Sequence, residues 1–127
     1  QKIQIIQQDE TAHAIHDPSN QITAYCLFAP FSNEDNTALL NSTDRSCIVL
    51  FKKETPSSLL LSITDIDLPD LGKRNDKLES TVILNGKWLL DKPTKPSVQI
   101  IHENNTTRIL TPTNRGQSIN LRLTLAP

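Results

Sequence analysis

The chain has 127 residues, 13 of them Lys or Arg and 14 Asp or Glu, and a formal net charge of -1. This length provides one hydrophobic core, so a single domain over residues 1–127 is expected. The basic residues are scattered, which argues against a nucleic-acid partner, and no apolar run approaches the ~20 residues of a membrane span.

The start of the chain carries no signal-peptide pattern, because no basic segment is followed by an apolar core. The chain also contains no Met. Together these features predict a mature product or an excised fragment of a longer protein.

Short apolar runs bounded by turn residues predict strands in the first part of the chain. A weak alternation over residues 2–8 predicts the first strand. Residues 11–17 and 22–28 alternate more clearly, and the turn cluster at 17–20 between them predicts a hairpin. Residues 31–45 are polar and irregular, and 33–36 are expected to form an exposed loop, with Leu39 and Leu40 packing one end of it on the core.

Residues 46–71 contain the two strands around which the rest of the fold is expected to form. The apolar runs 47–51 and 59–63 are too short for an ordinary helix, and Pro56 lies in the turn chemistry between them. This arrangement predicts two core strands joined by a tight turn. Pro69 and the aspartates around it favour a turn after the second strand.

The second half of the chain continues the strand pattern. Residues 81–84 and 87–90 predict two strands, and Asn85-Gly86 between them is the strongest short hairpin signal in the chain. Further strands are predicted at 98–102, 107–110 and 117–125. Since no segment shows helical periodicity, the sequence predicts an all-β fold, an antiparallel β-sandwich of about ten short strands.

The carboxylates of Asp65, Asp67 and Asp70 are the sharpest cluster of possible metal ligands. An Asp-x-Asp-x-x-Asp loop offers the oxygen atoms that Ca²⁺ prefers. However, apolar residues are interleaved with the aspartates, and the loop lacks the Gly and the Glu of an EF-hand. Solvated turn aspartates are therefore favoured over a calcium site, and no other cofactor is indicated.

The three histidines do not indicate a catalytic site. His13 and His16 are three residues apart in a predicted strand, so their side chains should face opposite sides of the sheet. His102 is distant in sequence, and no Gly-x-Ser-x-Gly turn is present to hold a nucleophile. We therefore predict no catalytic residue in this chain.

A few residues are candidates for contact with a glycan. Exposed aromatic rings provide stacking surface for sugars, and Trp88 beside the Asn85-Gly86 turn is the only Trp. Because Trp is highly buried on average, a position in the core is the favoured interpretation of Trp88. The full set of candidates is Trp88, Tyr25, Lys87 and Arg74.

Two cysteines, Cys26 and Cys47, lie within apolar strand patterns. Two buried thiols are the favoured interpretation. A bridge between neighbouring strands stays open if the compartment is oxidising. No further ligands flank either residue at the short spacing that a metal site needs.

Three motifs occur in an order and spacing that resemble a known family. They are TAHAIHDPSNQITAYCLFAP at 11–30, CIVLFKKETPSSLLLSITDIDLPDL at 47–71 and VILNGKWL at 82–89. Together they are similar to the C-terminal β-domain of family 8 polysaccharide lyases, in particular the chondroitin sulfate ABC lyases. The resemblance extends over nearly the whole chain.

This resemblance implies a function for the longer protein rather than for the chain alone. Lyases of this family cleave acidic polysaccharides by β-elimination at a uronic acid, and their catalytic motifs lie in upstream domains and do not occur here. The resemblance implies the C-terminal fragment of a secreted or periplasmic lyase. It would be a non-catalytic accessory domain that packs on the upstream domains of the same chain.

Two alternatives from other classes remain open. One is an autonomous carbohydrate-binding module. The other is an Ig-like structural or adhesion domain, although Trp88 follows both cysteines and the Cys…Trp…Cys order of true Ig domains is therefore missing.

Overall fold

A computed structural model describes residues 2–65, 79–91, 98–112 and 118–127. These ranges contain twelve β-strands and no helix, and hence no helical segment that could cross a membrane. The strands are β1 (Gln4–Gln8), β2 (Ala12–Asp17), β3 (Ile22–Leu27), β4 (Phe31–Ser32), β5 (Leu40–Thr43), β6 (Cys47–Thr55), β7 (Ser58–Asp65), β8 (Glu79–Asn85), β9 (Trp88–Leu90), β10 (Gln99–Glu103), β11 (Thr106–Pro112) and β12 (Ser118–Leu125).

The strands form two sheets that share one hydrophobic core. A seven-stranded sheet has the order β1-β2-β3-β6-β7-β12-β9, and a five-stranded sheet has the order β10-β11-β8-β5-β4. Every strand pair is antiparallel. Buried side chains from both sheets, such as Leu61 and Leu123 on one and Leu84 and Ile109 on the other, belong to a single cluster. The predicted antiparallel β-sandwich is confirmed.

Both hairpins predicted in the seven-stranded sheet are confirmed. Strands β2 and β3 pair from Ala12↔Leu27 to Asp17↔Ile22. The central hairpin joins β6 and β7, which run further than their apolar segments and meet at Thr55↔Ser58. The strands extend because backbone pairing continues through the polar residues that follow the apolar run.

The irregular segment 31–45 contains two short strands that the sequence did not predict, whereas the expected packing of Leu39 and Leu40 on the core is confirmed. Phe31 begins the two-residue strand β4, and Leu40 and Thr43 bound the four-residue strand β5. These three side chains are buried. Strands this short leave too few residues for an alternating pattern, so the polar segments around them dominated the sequence signal.

The hairpin predicted at Asn85-Gly86 is also wrong. Strand β8 lies in the five-stranded sheet and β9 in the seven-stranded sheet, so the chain crosses between the sheets at this point. Gly86 has a φ of 96°, and its N–H donates to the Asn105 carbonyl at 2.8 Å. The indole of Trp88 then enters the core with 6% of its surface exposed. Strand β8 pairs with β11 on one side and with β5 on the other, so it has no free edge for β9, which pairs with β12 instead.

The outer surface of the seven-stranded sheet carries large apolar side chains. Ile5 lies directly opposite Ile15 in the β1–β2 pair, and Phe28 packs edge-on against His13 at 5.1 Å. Ile48 lies opposite Cys26 in the β3–β6 pair. We refer to Ile5, Ile15, Phe28 and Ile48 as the outer apolar face; their exposed fractions are 69%, 42%, 47% and 37%.

Candidate functional site

The aromatic glycan candidates Tyr25 and Trp88 are both core residues. Tyr25 is 4% exposed and packs against Phe31 and Phe51, with ring centroids 5.9 and 6.3 Å away. Burial raises the pKa of the Tyr25 phenol. The indole Nε1–H of Trp88 donates to the Asn85 carbonyl at 3.0 Å. Neither ring presents a face to solvent, as a sugar-stacking surface requires.

The other sequence candidates are dispersed or lie outside the described residues. Lys87 is exposed at the crossover next to Trp88. Arg74, Asp67 and Asp70 lie outside the described residues, as does the side chain of Asp65, the last residue of β7. Within the described ranges, no group of three or more His, Cys, Asp or Glu side chains is placed to hold a metal ion.

The three histidines lie in three separate places. His13 and His16 face opposite sides of the sheet, as predicted: His13 contacts Phe28 outside, and His16 points towards the interior end of the sandwich. The Nε2–H of His102 donates to the Trp88 carbonyl at 2.7 Å. The imidazole of His16 instead makes its hydrogen bond with the Thr23 hydroxyl on β3.

The two cysteines lie on opposite faces of the seven-stranded sheet. Cys47 lies opposite Leu27 on the inner face, and Cys26 lies opposite Ile48 on the outer face. Both residues are thiols, with Cys47 buried and Cys26 partly exposed. Because β-strand side chains alternate, the two sulfur atoms point away from each other and cannot form a bridge in this fold.

A cavity of about 430 Å³ opens at one end of the sandwich, where the two sheets meet. Its floor is apolar, and its rim carries polar side chains from the turns and from the ends of strands. We call it the end pocket. Its floor residues include Phe51, Leu59 and Trp88, and its rim residues include His16, Gln21, Thr23, Thr37, Lys53 and Asn85.

The alternation of β6 places Lys53 at the rim of the end pocket. Val49 and Phe51 point into the core, so Lys53 points the same way but lies beyond the packed interior. Its backbone N–H donates to the Gln21 carbonyl at 3.0 Å. Glu54 points to the opposite face and lies 3.4 Å from Arg122. Lys53 has no ion-pair partner among the residues that the structure describes.

Hydrogen bonds fix the opposite wall of the end pocket. The Asn85 side-chain amide donates to the Ala38 carbonyl at 2.6 Å, and its oxygen accepts from the Asn41 amide at 3.0 Å. The Asn85 backbone N–H donates to the Leu39 carbonyl at 2.8 Å. The loop before β5 is therefore tied to the end of β8, so this wall is formed without a ligand.

The imidazole of His16 is oriented by its neighbour on β3. His16 Nδ1 and Thr23 Oγ1 are 2.8 Å apart in a hydrogen bond, which leaves Nε2 available at the rim. No carboxylate lines the end pocket among the described residues. The arrangement can bind a ligand through Lys53 and the polar rim.

Sequence reasoning did not identify Lys53 or the end pocket. The signal was present in the spacing, because Lys53 continues the inward series of Val49 and Phe51. However, the position of the loop that closes the other side depends on Asn85, which lies more than thirty residues away in sequence. Only the pairing of the sheets brings these residues to one cavity.

Comparison of the sequence with proteins of known function identifies two polysaccharide lyases. The chain is 39% identical over 64 residues to a chondroitin sulfate ABC exolyase of Bacteroides thetaiotaomicron, a match that covers 50% of this chain and 6% of that protein. It is 26% identical over 106 residues to a chondroitin sulfate ABC endolyase of Proteus vulgaris, covering 80% of this chain and 10% of that protein. No family model matches the chain.

Solved structures share the fold over almost the whole chain. A chondroitin AC lyase of Streptomyces coelicolor A3 matches 98% of this chain with a TM-score of 0.73 and 15% identity, and the match spans 15% of that lyase. A Paenibacillus xanthan lyase matches 98% with a TM-score of 0.74 and 16% identity, over 11% of its own chain.

The chain thus spans a tenth or less of the length of the curated relatives. The resemblance to a domain of polysaccharide lyases, inferred from three motifs, is confirmed by both kinds of comparison.

Proposed function

We propose that this chain, a β-sandwich domain related to polysaccharide lyases in sequence and fold, is a non-catalytic accessory domain of a larger glycosaminoglycan lyase. It packs on the domains that perform β-elimination and stabilises their arrangement. The substrate of the whole enzyme is a uronic-acid polymer of the chondroitin sulfate type, which supports a secreted or periplasmic location. The chain spans only a small share of the relatives' length, which supports a supporting role for this domain and catalysis by the other domains.

The observation that carries the proposal is the outer apolar face. Ile5, Ile15, Phe28 and Ile48 lie on one surface of one sheet, and each leaves more than a third of its side chain in solvent. Exposed apolar side chains grouped on one face are typical of a surface that contacts another protein unit. In a larger lyase, the neighbouring domain of the same polypeptide is the proposed occupant.

An activity assay tests the non-catalytic part of the proposal. The isolated chain is incubated with chondroitin sulfate, and ultraviolet absorbance of the unsaturated uronate product is followed. We expect no product from the chain alone and product from the complete polypeptide that contains it. Unsaturated product from the isolated chain would refute the accessory role.

The chemical reactivity of the two thiols tests the docking part. Cys26 lies beside Ile48 on the outer surface, whereas Cys47 is only 1% exposed inside the core. In the isolated chain, we expect iodoacetamide to label Cys26 and not Cys47, as located by peptide mass spectrometry. In the complete polypeptide, Cys26 should be protected because the outer apolar face is covered.

Cys47 serves as the internal control for that experiment. It should stay unlabelled in both preparations until the protein is unfolded, so a change at Cys47 would report loss of structure. Equal labelling of Cys26 in both preparations, with Cys47 protected, would contradict docking through this face.

A further inference from the structure

We propose that the end pocket binds an acidic sugar, which would give this domain a glycan-binding site of its own. This inference goes beyond the supporting role above and does not depend on it, since the end pocket opens between the two sheets and the outer apolar face lies on the far side of one of them. The ligand class is a sugar unit that carries a carboxylate or a sulfate group.

The charge of the end pocket indicates an anionic ligand. Among the described residues, its lining contains the ammonium of Lys53 and no carboxylate, although the chain as a whole has a net charge of -1. Two arginines, by contrast, lie near carboxylates: Arg122 is 3.4 Å from Glu54, and Arg108 is 3.7 Å from Glu103. An ammonium without a partner at the mouth of a cavity attracts an anion and forms a charge-assisted hydrogen bond with it.

The floor and rim of the end pocket match the two kinds of surface on a sugar ring. Leu59 and the edge of Trp88 offer apolar contact for the C–H groups of a ring. Around them, His16 Nε2 and the side chains of Gln21 and Thr37 offer hydrogen-bonding groups for hydroxyls. A cavity of about 430 Å³ lies within the range of ~300–1,000 Å³ that is typical of small-molecule sites.

Existing hydrogen bonds hold this rim in place before any ligand arrives. The imidazole of His16 is fixed by Thr23, and the loop that carries Thr37 is fixed by Asn85. Thr37 is itself held by the carboxylate of Asp35, whose oxygen accepts its hydroxyl at 2.6 Å. A rim that is already ordered loses little conformational entropy on binding.

The chain offers a matched pair of variants for the test. Lys52 and Lys53 are adjacent in β6, but their side chains lie on opposite faces of the sheet. Lys53→Gln removes the positive charge from the end pocket, and Lys52→Gln removes the same charge from the outer surface. Both side chains are exposed, so neither variant should impair folding, and urea unfolding checks this directly.

The experiment titrates the chain with a sulfated chondroitin disaccharide and, separately, with lactose as a neutral disaccharide. Trp88 lines the end pocket and is the only Trp, so its fluorescence reports binding, and calorimetry provides the affinity. We expect the sulfated disaccharide to bind more tightly than lactose. We also expect Lys53→Gln to weaken it by about tenfold, with Lys52→Gln leaving the affinity unchanged.

Two results would overturn the proposal. One is the absence of any fluorescence or heat response to the sulfated disaccharide. The other is an equal loss of affinity in the Lys52 and Lys53 variants, which would indicate general charge attraction rather than a site. Either result leaves the accessory role intact, because that role depends on the outer apolar face.

Discussion

Thr107 links the two sheets at the point where the chain crosses between them. Its side chain is fully buried, and its Oγ1 accepts the N–H of Trp88 at 2.7 Å. The same hydroxyl donates to the Gly86 carbonyl at 2.8 Å. One buried hydroxyl therefore satisfies two backbone groups that belong to neither a helix nor a strand ladder.

Removing the Thr107 hydroxyl should lower the free energy of unfolding more than removing its methyl group. Thr107→Val keeps the shape but leaves the Trp88 N–H and the Gly86 carbonyl without a partner, which should lower the free energy of unfolding by about 2–3 kcal/mol. Thr107→Ser keeps the hydroxyl and should cost about 1 kcal/mol. Urea unfolding of the two variants measures the difference, and a Ser variant less stable than the Val variant would contradict this role.

Asp9 is held by the turn between β1 and β2. Its Oδ1 accepts from the Thr11 hydroxyl at 2.7 Å and from the backbone N–H groups of Thr11 and Ala12 at 2.8 and 3.0 Å. These bonds, with the Thr11 hydroxyl first and the Gln7 amide next, hold the pKa of the Asp9 carboxyl well below its ordinary value.

The lowered pKa of Asp9 predicts a loss of stability in acid. Because the folded pKa lies below the unfolded value, the stabilisation is complete above about pH 4 and disappears as the pH falls through the folded pKa. Thr11→Val should raise the pKa of Asp9, and Thr11→Ser should not. An NMR titration of the Asp9 carboxyl measures this, and an unchanged value in the Val variant would show that the hydroxyl is not the main cause.

The hairpin between β10 and β11 has a two-residue turn with positive φ at both positions. Asn104 and Asn105 connect the strands with φ values of 49° and 60°, and Glu103 pairs with Thr106 across them. Positive φ at both positions is the type I′ geometry that suits the twist of paired strands. The Asn105 carbonyl also accepts the Gly86 N–H, which joins this turn to the sheet crossover.

The effect of substituting Asn105 on stability should depend on how well the new residue adopts a positive φ, rather than on the contacts of its side chain. Gly adopts positive φ without strain, so Asn105→Gly should leave the stability unchanged or raise it slightly. Asn105→Val places a β-branched residue in the left-handed region and should cost about 1–2 kcal/mol. Thermal unfolding compares the two variants; similar melting temperatures would contradict the assigned turn geometry.

Local sequence signals identified most strands but assigned one turn incorrectly. Asn85-Gly86 and Asn104-Asn105 both have turn chemistry, yet only the second forms a hairpin. The difference arises from the sheet pairing, because β8 lies between β11 and β5 and β9 pairs with β12 in the other sheet. Such a tertiary constraint is absent from the local pattern, as is the position of the loop before β5, which closes the end pocket opposite Lys53.

The two sheets should unfold together because their inner faces form one core. Leu84 belongs to the five-stranded sheet and Leu123 to the seven-stranded sheet, and both are fully buried in the same cluster. We expect unfolding followed by Trp88 fluorescence and by far-ultraviolet circular dichroism to give one coincident transition in urea.

Truncation of either leucine tests this coupling. Leu84→Ala and Leu123→Ala should each lower the free energy of unfolding by about 2–5 kcal/mol, and both probes should shift together in each variant. Separate transitions in either variant would show that the sheets are independent folding units.

The sequence predicted the fold class and the antiparallel hairpins of the seven-stranded sheet, because alternation and turn chemistry are local properties. It did not predict the order of the strands. Strand β12 pairs with β7 through contacts such as Ile119↔Ile63 and with β9 through Leu125↔Trp88. These partners are distant in sequence, and only the packing of the whole core selects them.

The position of β12 in the sheet determines when its neighbouring strands can pair during synthesis on the ribosome. Strands β7 and β9 are synthesised before β12, which lies between them in the sheet. A growing chain therefore carries two unpaired strand edges until β12 emerges, and such edges invite association with other nascent chains. We expect slow, late maturation and a need for protection by chaperones during translation.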